Sequence, residues 1–188
     1  MNEKMSISMM AGFCNEQSLW KLLVDLATDQ IERNSPKWII PAPELVEVDG
    51  DGFRIDENRA KGQTTAFCPP EGGKNYTESG FVWSLGALVC YASSGHYVFG
   101  GRGGAYQHDK PDVELPTLRK EHSALTPIVK RCLCYAPSER ISLKELRDLA
   151  VKGLESNCQM SRHKRSVESG ETVDSSGSID DVWPEKMI

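Results

Sequence analysis

A site in this chain would have to be assembled from four histidines, six cysteines, a cluster of glycines and a pair of turn acids. His96, His108, His122 and His163 stand far apart, and no H-E-x-x-H or G-x-S-x-G arrangement occurs. Ser94 and His96 are close in sequence, but nothing orients them as nucleophile and base, so the four rings read as surface histidines. Cys14, Cys68, Cys90, Cys132, Cys134 and Cys158 contain no C-x-x-C pair. Cys132-Leu133-Cys134 also lacks a second pair at zinc-site spacing. Scattered cysteines among apolar residues read as buried free thiols in a reducing compartment, not as a disulfide framework. Gly95, Gly100, Gly101, Gly103 and Gly104 mark a loop. A phosphate cradle would need a preceding strand and a following Gly-Lys-Ser/Thr, and neither is read here. Asp56 and Glu57 lack a partner ligand or a phosphate-binding backbone, and read as solvated turn acids. No catalytic, cofactor-binding or metal-ligating residue is therefore assigned, and no cofactor is expected.

The bulk composition narrows the classes further. With 188 residues the chain has room for one core, or one domain and a tail, and 39% hydrophobic residues is low for a compact domain throughout. A formal net charge of −5 gives no bulk drive toward nucleic acid or an anionic membrane. No stretch reaches the roughly 20 apolar residues that span a bilayer. Residues 5–14 resemble a signal-peptide core only superficially, with serines inside, an acid before them and no small-residue cleavage site. The expectation is a cytoplasmic protein with no nucleic-acid partner and no membrane insertion.

The elements that must position any site follow from periodicity. Leu19, Trp20, Leu22, Leu23, Leu26 and Ile31 recur at helical spacing, which predicts an amphipathic helix over 15–33 with Asn15 as its N-cap and Pro36 as its stop. Residues 45–48 and 53–55 are extended runs around Asp49-Gly50-Asp51-Gly52, a hairpin signal. Residues 81–91 are apolar on nearly every face, which predicts a helix in the middle of the core, with Trp83 and Leu85 in it and Trp20 packed from the first helix. Two further helices are predicted over 121–135 and 142–154, separated by Pro137, with Ser142 and Glu145 spaced as a capping box. After Gln159 a basic run, Arg162-His163-Lys164-Arg165, gives way to serine, glycine and acids, which reads as a disordered tail. The expected organisation is an N-terminal extension at 1–14, one domain at 15–158 and a tail at 159–188.

Three local patterns give this order a family likeness. Phe67-Cys68-Pro69-Pro70-Glu71 resembles the Ala-Pro-Glu segment of protein kinases. Val82-Trp83-Ser84-Leu85-Gly86 resembles the opening of the kinase F helix. Cys132-Leu133-Cys134-Tyr135-Ala136-Pro137-Ser138-Glu139-Arg140 resembles the Cys-Leu-x-x-x-Pro-x-x-Arg stretch before the last kinase helices. Together they cover roughly residues 13 to 154 and imply a mainly α, kinase C-lobe-like domain with a short β-hairpin and no N-lobe. Asn15-Glu16-Gln17-Ser18-Leu19-Trp20 is similar to the opening of the KIND family, the kinase non-catalytic C-lobe domain. Residues 53–58 followed by 66–71 look closest to its tyrosine-phosphatase branch.

The same likeness implies that the catalytic equipment is gone. Phosphoryl transfer needs a glycine-rich loop, a strand lysine, a catalytic Asp and a magnesium-holding pair. Where the catalytic loop's His-Arg-Asp should stand, this chain has Asn34-Ser35-Pro36-Lys37-Trp38. Glu44 or a neighbour stands for the magnesium Asn, Asp56-Glu57-Asn58 for Asp-Phe-Gly, and Phe81 for the F-helix Asp. The likeness implies a non-enzymatic module that binds a peptide or helical tail of a protein partner, cytoskeletal or signalling. The alternative is a C-lobe fragment or splice form of a larger pseudokinase acting as a scaffold, whose upper face would be apolar. It also implies that Glu71 and Arg140 meet in a largely buried, bidentate ion pair. In the tail, Ser166 beside the basic run and Ser178 before Ile179-Asp180-Asp181 match kinase-site patterns. Asp180-Asp181-Val182-Trp183-Pro184-Glu185 sets one aromatic among acids, the shape of a linear binding motif.

Overall fold

The computed structural model describes residues 6–7, 11–12, 14–33, 37–50, 52–59, 65–72, 77–110, 112–115 and 117–168. Over these residues the chain is mainly helical with one two-stranded antiparallel hairpin. Helix α1, Glu16–Glu32, starts where Asn15 accepts a hydrogen bond from the Ser18 amide at 2.8 Å. It buries Leu19, Trp20, Leu22, Leu23 and Leu26. Pro36, expected to stop it, lies outside the described residues. The helix ends at Glu32, and Arg33 binds both Asp29 carboxylate oxygens, Glu57 and the Ile55 carbonyl. Hydrogen bonding to Asp29 raises the Arg33 pKa, and the bond to the Ile55 carbonyl ties the helix end to the hairpin.

Strands β1, Val46–Asp49, and β2, Gly52–Ile55, pair Val46 with Ile55 and Asp49 with Gly52, so the two-residue connection opens on Gly50 at φ 65°, the first-position glycine that tight hairpin turns favour. The described residues of the N-terminal extension pack against the domain. Ser6 bridges Glu47, Ile7 is fully buried, and Gly12 donates its amide to the Ala92 carbonyl while its own carbonyl accepts from Arg119 Nη1.

Helix α2, Glu78–Ser94, is the centre of the core, with Trp83 and Leu85 at 0% exposure. It begins before residue 81 because Thr77 caps it, accepting from the Gly80 amide at 3.2 Å. The glycine-rich stretch contains more order than a loop: strand β3, Val98–Gly101, and helix α3, Gly104–Asp109.

The helix predicted over 121–135 is divided. Lys120–Leu125 forms a 3-10 segment with a non-helical His122, and α4 covers only Thr126–Cys132. Pro127 explains the break, since it lacks an amide hydrogen and is suited to a first helical turn. Helix α5 is longer than predicted, Leu143–Glu168. Residues 159–168 therefore continue a helix in place of the expected tail. Arg, Lys and Glu are good helix formers, and neither Gly nor Pro interrupts 154–168. Residues 169–188, which carry the rest of the expected tail, lie outside the described residues. The capping box at its start is half formed. Ser142 accepts from the Glu145 amide at 3.2 Å, while the Glu145 carboxylate turns to Arg131 at 2.8 Å. Helices α1 and α5 cross closely because Gly153 has no side chain: a Cβ there would stand 2.7 Å from the Trp20 ring.

Candidate functional site

The sequence brings one charged pair together from distant positions. Arg140 follows the turn Pro137–Glu139, and Glu71 follows Pro69-Pro70 in the loop before α2. Arg140 Nη1 donates to Glu71 Oε1 at 2.7 Å and Nη2 to Oε2 at 2.8 Å, a fork-on-fork contact. Its remaining donors go to backbone. Nε reaches the Cys134 carbonyl at 2.8 Å, Nη1 that of Ser79 at 2.9 Å, and Nη2 that of Tyr135 at 2.9 Å. A guanidinium has five N–H groups, and all are used. The expected burial holds for one partner only: the Arg140 side chain is 0% exposed, the Glu71 side chain 30%.

The Glu71 loop is fixed from two other sides. The Ser84 hydroxyl of α2 lies 2.7 Å from the Phe67 carbonyl, and the Gly104 amide of α3 donates to the Cys68 carbonyl at 2.8 Å. A Cβ on Gly104 would fall 2.2 Å from the Pro70 nitrogen, so only glycine allows this contact. Deeper in, Trp83 Nε1 donates to Gln107 Oε1 at 3.0 Å, and Gln107 Nε2 donates to the Leu133 carbonyl at 2.7 Å. This buried relay links α2, α3 and the end of α4.

The hub also shapes a neighbouring groove. By holding the Ser79 carbonyl, Arg140 pins the first turn of α2 next to the start of α5. Glu78 Oε1 completes the junction by accepting from the Leu143 amide at 2.9 Å. Beside it opens a groove of about 350 Å³ lined by Gln30 and Ile31 of α1, Trp38, Glu78, and Leu143, Lys144 and Arg147 of α5. Its floor is apolar and its α5 rim cationic. Trp38 packs on Phe81 with ring centroids 5.7 Å apart, and Phe81 is buried at 1% exposure.

The other residues singled out from sequence are occupied locally. Asp56 Oδ1 accepts from the Asn58 amide and side chain at 3.0 and 3.2 Å, and Glu57 pairs with Arg33. Among the described residues no group of three His, Cys, Asp or Glu side chains is placed to hold a metal ion. The Ser94 hydroxyl meets the backbone of His96, not its ring. His122 is not a surface histidine: it is 3% exposed, with Nδ1 2.7 Å from the Ser93 hydroxyl. His108 Nδ1 lies 2.9 Å from the Tyr135 hydroxyl at the surface. No disulfide joins any of the six cysteines, and burial pushes the Cys90 thiol up to about 12 and Cys132 higher still.

No known family model matches this chain, and no curated protein matches it either. Its reading rests on its own residues. Sequence reasoning reached Glu71 and Arg140 through their motifs but missed the groove. Ile31, Trp38 and Leu143 belong to three separate segments, and the only available signal was a lone tryptophan after Pro36-Lys37.

Proposed function

We propose that this chain is a non-catalytic protein-interaction module, a kinase C-lobe-like domain of the KIND type. Its groove beside Trp38 takes a peptide or helical segment of a cytoplasmic partner, cytoskeletal or signalling in kind. The observation that carries this reading is the Trp38–Phe81 contact. On the kinase alignment, Trp38 ends the segment standing for the catalytic loop and Phe81 replaces the Asp that anchors it. Two aromatic rings there can neither accept a substrate proton nor hold magnesium. The Glu71–Arg140 contact supports the alignment itself, since its two motifs lie 69 residues apart and meet as their kinase counterparts would. The chemistry of the groove favours an apolar residue flanked by acids: Trp38, Ile31 and Leu143 offer the floor, Lys144 and Arg147 the charge.

The competing reading, a C-lobe fragment of a larger pseudokinase, calls for an apolar face left bare by the missing lobe. Among the described residues only Tyr97 and Met160 are exposed large hydrophobics, which favours the self-sufficient module.

Affinity capture on the full chain, run in parallel on Trp38→Ala/Lys144→Glu, tests the proposal. A cytoskeletal or signalling protein enriched on the wild type and lost from the variant is the expected result. Equal capture by both, with the variant folded by circular dichroism, would place binding elsewhere and overturn it.

A further inference from the structure

We infer that the chain's own acidic segment, residues 180–185, docks in the groove beside Trp38 through Trp183, so that a partner must displace it. This rests on the docking role proposed above and adds a regulator to it. The argument begins with charge. Asp180, Asp181 and Glu185 surround Val182-Trp183-Pro184, an apolar centre between anions. The groove is the reverse: an apolar floor with Lys144 and Arg147 on successive positions of one α5 face. The one acid lining it, Glu78, is engaged by the Leu143 amide, and Arg147 also holds the adjacent Asp148 at 2.8 Å. Lys144 is exposed on the rim.

Size and reach agree with this. A cavity of about 350 Å³ accepts one bulky side chain. From Leu143 at the groove to Glu168 at the helix end is 25 residues, about 38 Å of helix at ~1.5 Å per residue. From Glu168 to Trp183 is 15 residues, which extended reach about 50 Å at ~3.3 Å each. The segment can therefore return along α5 to the groove. A tether of this length supplies an effective concentration on the order of millimolar, so even weak affinity keeps the groove largely filled.

A second groove was the natural rival. It measures about 540 Å³ and is lined by Phe99, Tyr106, Val113, Arg102 and Glu114 among others. Its one lining cation, Arg102, is paired with Asp109 and balanced by Glu114, so its lining carries no net charge, whereas Lys144 and Arg147 outnumber Glu78 in the groove beside Trp38.

The test uses the full chain labelled with 5-fluorotryptophan. Its four tryptophans, Trp20, Trp38, Trp83 and Trp183, are assigned by single Trp→Phe variants. The expected result is a Trp183 resonance displaced from its position in a synthetic peptide of residues 174–188. It should return to that position in Lys144→Glu/Arg147→Glu and in 1 M salt, with Trp20 and Trp83 unmoved. A Trp183 resonance already at the free-peptide position in the wild type overturns docking in cis, as does displacement insensitive to the charge reversal. Adding the same peptide to Trp183→Ala full chain separates the two claims. A shifted Trp38 keeps the groove as a peptide site whatever happens in cis, whereas an unmoved Trp38 overturns the inference alone, the docking role of the groove being read separately by affinity capture.

Discussion

Two places near the start of α2 treat charge in opposite ways. At the Arg140 hub a fully buried guanidinium is kept, with every N–H matched to an acceptor. At the Trp38–Phe81 contact the chain places two rings and no charge at all. The hub's charge goes to the Glu71 carboxylate and to backbone carbonyls from two further segments, where it fixes the positions of loop, helix and turn. On the proposed kinase-like reading, the aromatic contact stands where polar groups would be needed to transfer a phosphoryl group, and the two rings pack there instead. Charge braces the architecture at the first place, and ring packing does so at the second.

The sharpest way to break that contrast is at Arg140. Arg140→Ala strands the Glu71 carboxylate and three carbonyls at once, and the expected loss is about 3–5 kcal/mol, in the range for breaking a buried ion pair. Glu71→Ala should lose less, because Arg140 keeps its three carbonyl partners and the carboxylate is already partly solvated. The double variant should fall well short of the sum. Urea unfolding of the four proteins measures all three quantities. Equal single-variant losses, or additive ones, would mean that the hub does not work as a unit.

The mirror experiment puts charge into the apolar place. Phe81→Asp buries a carboxylate against the Trp38 ring, at a position that is 1% exposed. It should destabilise by a few kcal/mol, or titrate to the neutral acid and recover part of the loss below about pH 5, where carboxyls protonate. The sign follows from burial: a folded pKa raised above the unfolded value favours the protonated state, so stability falls as pH rises. Thermal melts of the variant at pH 4.5 and 8 read this out. A variant as stable as wild type at pH 8 would show the contact to be more polar than its rings suggest.

These contrasts were only partly legible in the sequence. Helical spacing of Leu19, Leu22, Leu23 and Leu26 and the Asp-Gly turn specified α1 and the hairpin, because burial imposes those periods directly. The unbroken apolar run marked α2, but its start was hidden: Thr77 follows Gly72-Gly73-Lys74-Asn75-Tyr76, which reads as loop. The far half of α5 was missed for a different reason. A charged, serine-containing stretch looks like a tail by composition, yet most of its residues are good helix formers and nothing breaks them. At the hub, paired motifs pointed to Glu71 with Arg140. The three carbonyls that complete it carry no side-chain signal, since every residue offers the same acceptor. The groove was invisible because its walls converge only after folding.

The smallest expected effect concerns the thiols of the core that the hub braces. With Cys90 pushed up to about 12 and Cys132 beyond it, both remain protonated and buried at pH 8. Brief treatment with a thiol-reactive reagent followed by mass spectrometry should leave these two unmodified in native protein and modify them in denaturant. Modification of Cys132 at the rate of a surface thiol would show that α2 and α4 open more readily than their packing implies.

The claim on which the rest depends is that this fold carries no phosphoryl-transfer site. Thermal unfolding with and without millimolar Mg-ATP tests it most directly, because a ligand that binds only the folded chain must raise the melting temperature. The account predicts coincident transitions. A rise of several degrees that EDTA abolishes would contradict it.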